Sequence, residues 1–293
     1  MSSPGASLFG RKVELVVSAP GSPPAVKAAF NDTPGLDVSG FDIDFSVRRS
    51  LAMKHPNVCK IEVYNLSESS RKALDGGPKT NLVVSLSAGY QGGLEQIYFS
   101  ECRAAWTERV GPDWVTHLEA GDGDKAMKAR CATGPGGYIP VASALTYIAQ
   151  ALGVGTGNLQ AAQTAIAQSG IYNFSASAVS GSAARRLTDF CRSAGLEWSI
   201  QNGNLQIIKQ GALTRTNAVL CSVDTGMIDS PTVDSHGLLS AKMLITPGLV
   251  PGGLVHVDSE FYSGDYRINR CHWDGSVRGL NWYVQFEGEK YAS

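Results

Sequence analysis

The sequence predicts an α+β fold, mainly β: two β-barrel or sandwich domains with a small βαββ helical module between them. Three observations carry this. Apolar and polar residues alternate with a period of two through several short runs in the first and last parts of the chain. Turn residues, drawn from 33 glycines and 13 prolines, separate those runs. Only the middle stretch carries helical spacing. The expected boundaries are 1–134 for an N-terminal β domain, 135–212 for the α/β module and 213–293 for a C-terminal β domain that packs with the first.

In the first segment Arg11 to Ala19 reads as a strand, and Pro20, Gly21, Pro23 and Pro24 then break the chain into a loop. From Gly40 to Arg49, Phe41, Ile43, Phe45 and Val47 alternate with Asp42, Asp44, Ser46 and Arg48, which predicts a strand with one face buried and one wet. Val58 to Leu66 behaves alike. Ser67 caps a short helix to Leu74 that Gly76-Gly77 closes. Leu82 to Tyr90, Gln96 to Arg109 and Trp114 to Ala120 are further strands, joined by Gln91-Gly92-Gly93 and Gly111-Pro112-Asp113.

The Gly134-Pro135-Gly136-Gly137 linker opens the middle segment. Val141, Leu145, Ile148 and Leu152 share one helix face, with Pro140 at its start and Gly153 at its stop. Leu159 to Gln168 is a second helix and Tyr172 to Ala176 a strand. Ser180 is the expected cap of a third helix, whose face is Ala183, Ala184, Leu187, Phe190, Cys191 and Ala194. Asn202-Gly203 is a two-residue hairpin signal, and pairing across it sets Ile200 opposite Leu205 and Trp198 opposite Ile207. In the last segment, Leu238 to Thr246, Leu254 to Val257, Tyr266 to Trp273 and Leu280 to Glu287 are the expected strands.

The chain has 293 residues, of which 43% are apolar and only 17% charged, for a net charge of −1. That balance argues against coating a nucleic-acid duplex, which needs a basic surplus. Low charging suits a subunit hidden in an assembly better than a soluble monomer. No run approaches the roughly 18 apolar residues of a membrane span, and the first ten residues lack the form of a signal peptide. The six cysteines, Cys59, Cys102, Cys131, Cys191, Cys221 and Cys271, have no CxxC pair and read as free buried thiols.

Two patterns could carry chemistry. Gly121-Asp122-Gly123-Asp124-Lys125-Ala126 has the GxGxxA outline of a dinucleotide fingerprint, but two aspartates would repel a pyrophosphate, so a turn is the preferred reading. The same aspartates fail as a calcium loop, whose twelfth position is Thr133. His256 and Asp258 lie on one face of a strand and His272 on another, a conceivable metal trio for hydrolysis; polar groups on a strand face are the preferred reading. His55 and His117 have no evident partners. Nothing else calls for catalysis, a metal or a cofactor, and the expectation is a non-enzyme that needs none.

Asp44-Phe45-Ser46-Val47, Pro56-Asn57-Val58-Cys59-Lys60-Ile61-Glu62-Val63-Tyr64-Asn65-Leu66-Ser67, Ala88-Gly89-Tyr90 and Pro112-Asp113-Trp114-Val115-Thr116 follow one another in an order that resembles the baseplate hub proteins of contractile-tailed phages. Gly226 to Pro231, Leu249 to Val257, Tyr266-Arg267-Ile268 and Asn281-Trp282 resemble that family's closing domain. The resemblance implies two tail-tube-like domains per chain and a homotrimeric ring. Such a ring adapts a sixfold tube to a threefold spike. The implied partners are a tail-tube-type protein above, a central spike protein below and tape-measure protein in the channel, through which DNA passes without specific binding. The implied place is the virion tail baseplate, assembled in the bacterial host cytoplasm. The hub of a phage-like contractile injection device is the alternative within the class. Asp42 and Asp44 are then expected at the channel, at a subunit seam, or on the outside of the ring.

Overall fold

The computed structural model describes residues 10–18, 24–31, 39–51, 57–74, 82–132, 137–168, 173–175 and 179–291. Expectations for Pro20, Gly21, Pro23, His55, Gly76-Gly77 and residues 134–136 lie outside them. The first strands are β1 (Arg11–Ser18), β2 (Pro24–Asn31), β3 (Ser39–Gly40), β4 (Ile43–Ser50) and β5 (Asn57–Tyr64). After helix α1 (Glu68–Leu74) come β6 (Val83–Tyr90), β7 (Gly93–Val110) and β8 (Asp113–Asp122). The middle of the chain supplies α2 (Asp124–Lys128), β9 (Arg130–Cys131), β10 (Tyr138–Pro140), α3 (Val141–Leu152), α4 (Leu159–Gln168), β11 (Asn173–Ser175), β12 (Gly181–Ser182), α5 (Ala183–Ser193), β13 (Leu196–Gln201) and β14 (Asn204–Lys209). The last segment supplies β15 (Arg215–Ser222), β16 (Thr232–Val233), β17 (Leu239–Leu244), β18 (Gly253–Asp258), β19 (Ser263–Ser276) and β20 (Trp282–Lys290).

Two compact units result. The first takes Met1–Arg49, Asn57–Gly121 and Arg215–Ser293; the second takes Ser50–Pro56 and Asp122–Thr214. In the first unit a 14-stranded sheet runs in the order β16-β17-β20-β19-β4-β5-β8-β7-β6-β1-β2-β3, with β18 joined to β19 and β15 lying parallel on β18. The chain enters β4 directly from β3, so the strands from β4 to β3 curl back on themselves. The expected single strand from Gly40 to Arg49 is therefore two. Phe41 donates its N–H to Ala29 while Asp42 accepts from Tyr64, so the bonding partner changes between these residues. β2 falls where prolines suggested only a loop; Pro24 opens the strand, a position that needs no ladder N–H.

N- and C-terminal segments share one core. Leu15, Val47, Ile61 and Leu86 from the first pack in the same cluster as Val255, Ile268, Trp273 and Phe286 from the last. Its centre of attachment is Trp282. The ring meets Phe45 edge-on at 5.8 Å and Tyr90 at 6.2 Å, and the Arg11 guanidinium covers it at 5.3 Å. Gly275 is required beside it, because a side-chain carbon there would run into the Phe45 ring.

The second unit has its own core around Leu145, Ile148, Ile166, Leu187 and Ile207. α3 buries Val141, Leu145, Ile148 and Leu152 as the spacing demands, and Gly153 ends it at φ 67°. The hairpin register is as expected: Ile200 faces Leu205 and Trp198 faces Ile207 across Asn202 (φ 52°) and Gly203 (φ 74°). Three details differ. The cap of α5 is Ser182, whose Oγ accepts from the Arg185 N–H at 3.4 Å, because β12 carries the chain two residues beyond Ser180 before the helix starts. β11 pairs with β10 and leaves the β13–β14 hairpin as a separate sheet. The unit also begins near Asp122, ahead of the expected residue 135, since β9 pairs with β12 and Ala126 and Cys131 join this core.

Two stability predictions follow from these contacts. Trp282→Ala should destabilise the first unit by about 3–5 kcal/mol in chemical denaturation. Gly203→Val places a β-branched residue at positive φ and should destabilise the second unit by about 1–3 kcal/mol; an unchanged melting temperature would disprove the assigned turn.

Candidate functional site

The core-facing residues of β4 and its neighbours leave an opposite face that is unusually rich in half-buried charge. On β4, Asp44 and Ser46 point away from the core between buried Ile43, Phe45 and Val47. Asp44 lies directly opposite Glu62 of β5, and Ser46 opposite Lys60. Like charges facing each other across a ladder are destabilising. Their neighbours relieve only part of this. His117 of β8 approaches Glu62 at 3.3 Å and Glu108 at 2.9 Å, and its ring stacks on Trp106 at 4.9 Å. Lys60 pairs with Glu119 at 3.1 Å. Asp44 Oδ1 is buried without a hydrogen-bond partner.

Asp42, just ahead of the strand, meets Arg278 at 3.7 Å. Burial and the charge of Asp44 raise its carboxyl above the usual 3.8, against the pull of Arg278. Burial, with Asp44, Glu62 and Asp42 around it, likewise raises the Tyr64 phenol, which donates to Asp44. Asp274 of β19 behaves oppositely. Burial would raise it, but hydrogen bonds from His272, Ser46 and Tyr283 hold it below the usual value. Sequence reasoning named Asp42 and Asp44 but missed Glu62, Tyr64, His117 and Asp274. They come from strands whose order in the sheet a linear alternation does not reveal.

Other candidate residues are not brought together. His256 Nδ1 is 2.6 Å from Asp265 Oδ1. His272 lies seven residues further along β19 than Asp265, roughly 23 Å in an extended strand. The conceivable trio of His256, Asp258 and His272 therefore does not form, and no group of three metal-ligating side chains occurs among the described residues. Ser46, His272 and Asp274 superficially suggest a hydrolytic triad. However, Ser46 Oγ (2.9 Å) and Asp274 Oδ2 (3.3 Å) both approach the same imidazole nitrogen, Nε2, so the ring cannot relay a proton between them. Gly121 and Asp122 are the last two residues of β8, Gly123 alone turns the chain at φ 88°, and Asp124-Lys125-Ala126 begin the five-residue α2, so the expected turn shrinks to one residue; β8 is antiparallel to β7, unlike the buried parallel strand of a dinucleotide site. All six cysteines are buried and none is joined in a disulfide, as expected.

The two motifs Tyr64-Asn65-Leu66 and Pro112-Asp113-Trp114 meet in space. Asn65, at φ 57°, donates from Nδ2 to Asp113 Oδ1 at 2.8 Å and accepts the Trp114 N–H on Oδ1 at 3.0 Å. Trp114 is then covered by Arg71 at 4.3 Å.

A family model described as Baseplate hub gp41 matches residues 35–288. No curated protein matches the sequence. The fold is similar to that of the 43 kDa tail protein of prophage MuSo2 from Shewanella oneidensis, with a TM-score of 0.59 at 10% identity over 95% of this chain and 98% of that one. A tail protein from Neisseria meningitidis MC58 gives 0.59 at 9% identity over 96% and 97%. The E. coli c3393 protein, a type VI secretion component described as structurally similar to T4 tail proteins gp27 and gp5, gives 0.52 at 8% identity over 89% and 76%. No helix among the described residues is long and apolar enough to cross a membrane.

The carboxyl groups predict opposite acid responses. Asp42→Asn should stabilise the protein at neutral pH, and the gain should fade as pH falls through the raised Asp42 value towards 3.8. Asp274→Asn should destabilise it at neutral pH, and that loss should persist down to about 3.8 and disappear only below it. Urea titrations at several pH values read both.

Proposed function

Because the chain belongs to the Baseplate hub gp41 family, a family of structural proteins of the phage tail, we propose that three copies form the hub ring of a contractile tail. In this reading each copy presents two tube-like surfaces, so three copies offer six to a sixfold tail tube while keeping threefold symmetry for the spike. The partners are a tube-type protein above, the central spike below and tape-measure protein within. DNA then passes through without specific binding, and assembly takes place in the host cytoplasm. The observation that carries the reading is the family match over residues 35–288, supported by similarity to whole tail proteins. The similarity to c3393 favours a second reading, the equivalent hub of a contractile injection device that carries no DNA.

Asp42 and Asp44 belong to the channel wall or a subunit seam. Opposed carboxylates and an unpartnered Asp44 oxygen weaken the isolated subunit. The same groups suit a wall that a polyanion must slide past without sticking, or a seam where a neighbour supplies the missing donor.

Light scattering on the purified chain should give the mass of a trimer; a stable monomer at low micromolar concentration overturns the ring. Asp42→Lys with Asp44→Lys separates the two positions. Normal particles with impaired DNA delivery place the aspartates in the channel, and failed assembly places them in the seam. No effect on either puts the strand outside and refutes both.

A further inference from the structure

Leu280 stands 99% exposed at the tip of the turn between β19 and β20, where a strand was expected to have begun. A leucine so exposed usually sits on a loose loop, but this turn is locked. Arg11 donates to the carbonyls of Ser276 and Gly279, both at 2.6 Å. The Gly279 N–H bonds to Ser276 Oγ at 2.8 Å, and the Ser276 N–H to the Asn281 carbonyl at 2.7 Å. The result is a rigid apolar knob whose ordering cost is already met within the subunit. Its flank is basic: Arg278 is largely exposed and only loosely paired to Asp42.

The opposite end of β19 carries the complement. Ser222 and Asp258 pair at the ends of β15 and β18, and the next residues along each chain are Val223 and the loop Ser259–Tyr262. Val223 is 77% exposed and Phe261 71%. The loop is held by bonds between Ser259 and Tyr262, so Phe261 is presented rather than trailing. Exposed Asp224, Asp258 and Glu260 flank this apolar pair along the chain. Knob and patch thus match in polarity and in charge. The 14 residues of β19 separate them by roughly 45 Å of extended strand.

Complementary surfaces at opposite ends of one subunit cannot meet within it, and they define a head-to-tail contact, the kind a threefold ring requires. We propose that Leu280 and Arg278 of one copy seat against Val223, Phe261 and the acidic residues flanking them on the next copy, forming the joint between copies of this chain. This rests on the ring reading above and names the residues of its joint.

The test uses the whole chain carrying Leu280→Cys and Phe261→Cys with a short bis-maleimide. Both positions are on the surface, and the native cysteines described are buried, so the reagent reports the introduced pair. The separation along β19 forbids a link within one copy. Cross-linked products of two and three chains, ending at three, with none from either single variant, are the expected result. A ladder beyond three upholds the contact and overturns the closed ring. An oligomeric chain that gives no product overturns the contact and leaves the ring standing. Product from Leu280→Cys alone means that like ends meet, and it refutes the head-to-tail joint.

Discussion

The first unit depends on strands from opposite ends of the sequence lying side by side. β4 neighbours β19, and the Trp282 ring closes over Phe45 and Tyr90 while Gly275 leaves room for Phe45. Without that contact the N-terminal strands and the last six strands would each expose an apolar face. With it, a single core extends from Leu15 to Phe286. Arg11 links this seam to the surface, because the same guanidinium that covers Trp282 also fixes the carbonyls of the Leu280 turn. The knob is therefore tied to the core beneath it.

Local chemistry wrote part of this fold in plain view. The helix face of α3, the Asn202-Gly203 hairpin and the burial of Ile43, Phe45 and Val47 each follow from spacing over fewer than a dozen residues. What could not be read is what depends on distant partners. β2 was hidden because Pro24 at its start and the prolines before it obey loop rules, and it is a strand only because β1 offers a ladder. The bend at Phe41-Asp42 looks like unbroken alternation until Ala29 and Tyr64 claim different backbone groups. Of the candidate site, Asp42 and Asp44 were legible as the wet face of a strand. Glu62, His117 and Asp274 were not, since only the sheet order brings them near. The resemblance of Tyr64-Asn65-Leu66 and Pro112-Asp113-Trp114 to hub sequences has a physical basis in the Asn65 clasp, which needs both segments at once.

The polar face and the two ends of β19 differ in what they ask of a neighbour. The face around Asp44 holds charge that the subunit satisfies incompletely, which favours an environment of water, ions or foreign donors. The ends hold apolar groups on rigid turns, which favour burial. A subunit with only 17% charged residues spends little of its surface on solubility alone. Surfaces of both kinds thus lie on one sheet, the polar one on a face and the apolar ones at its ends.

The seam at Trp282 also sets when the unit can fold during synthesis. A ribosome delivers β1 to β8 first, then Asp122–Thr214 of the second unit, and only afterwards the strands that complete the first core. Pairing β4 with β19 joins residues more than two hundred positions apart, a high contact order that slows folding and delays it until β19 and β20 have been synthesised. A polypeptide released before Trp282 lacks the residue on which Phe45 and Tyr90 close, and it also lacks the ring that the Arg11 guanidinium covers. Abortive translation products are thus left without a closed core by the order of synthesis itself.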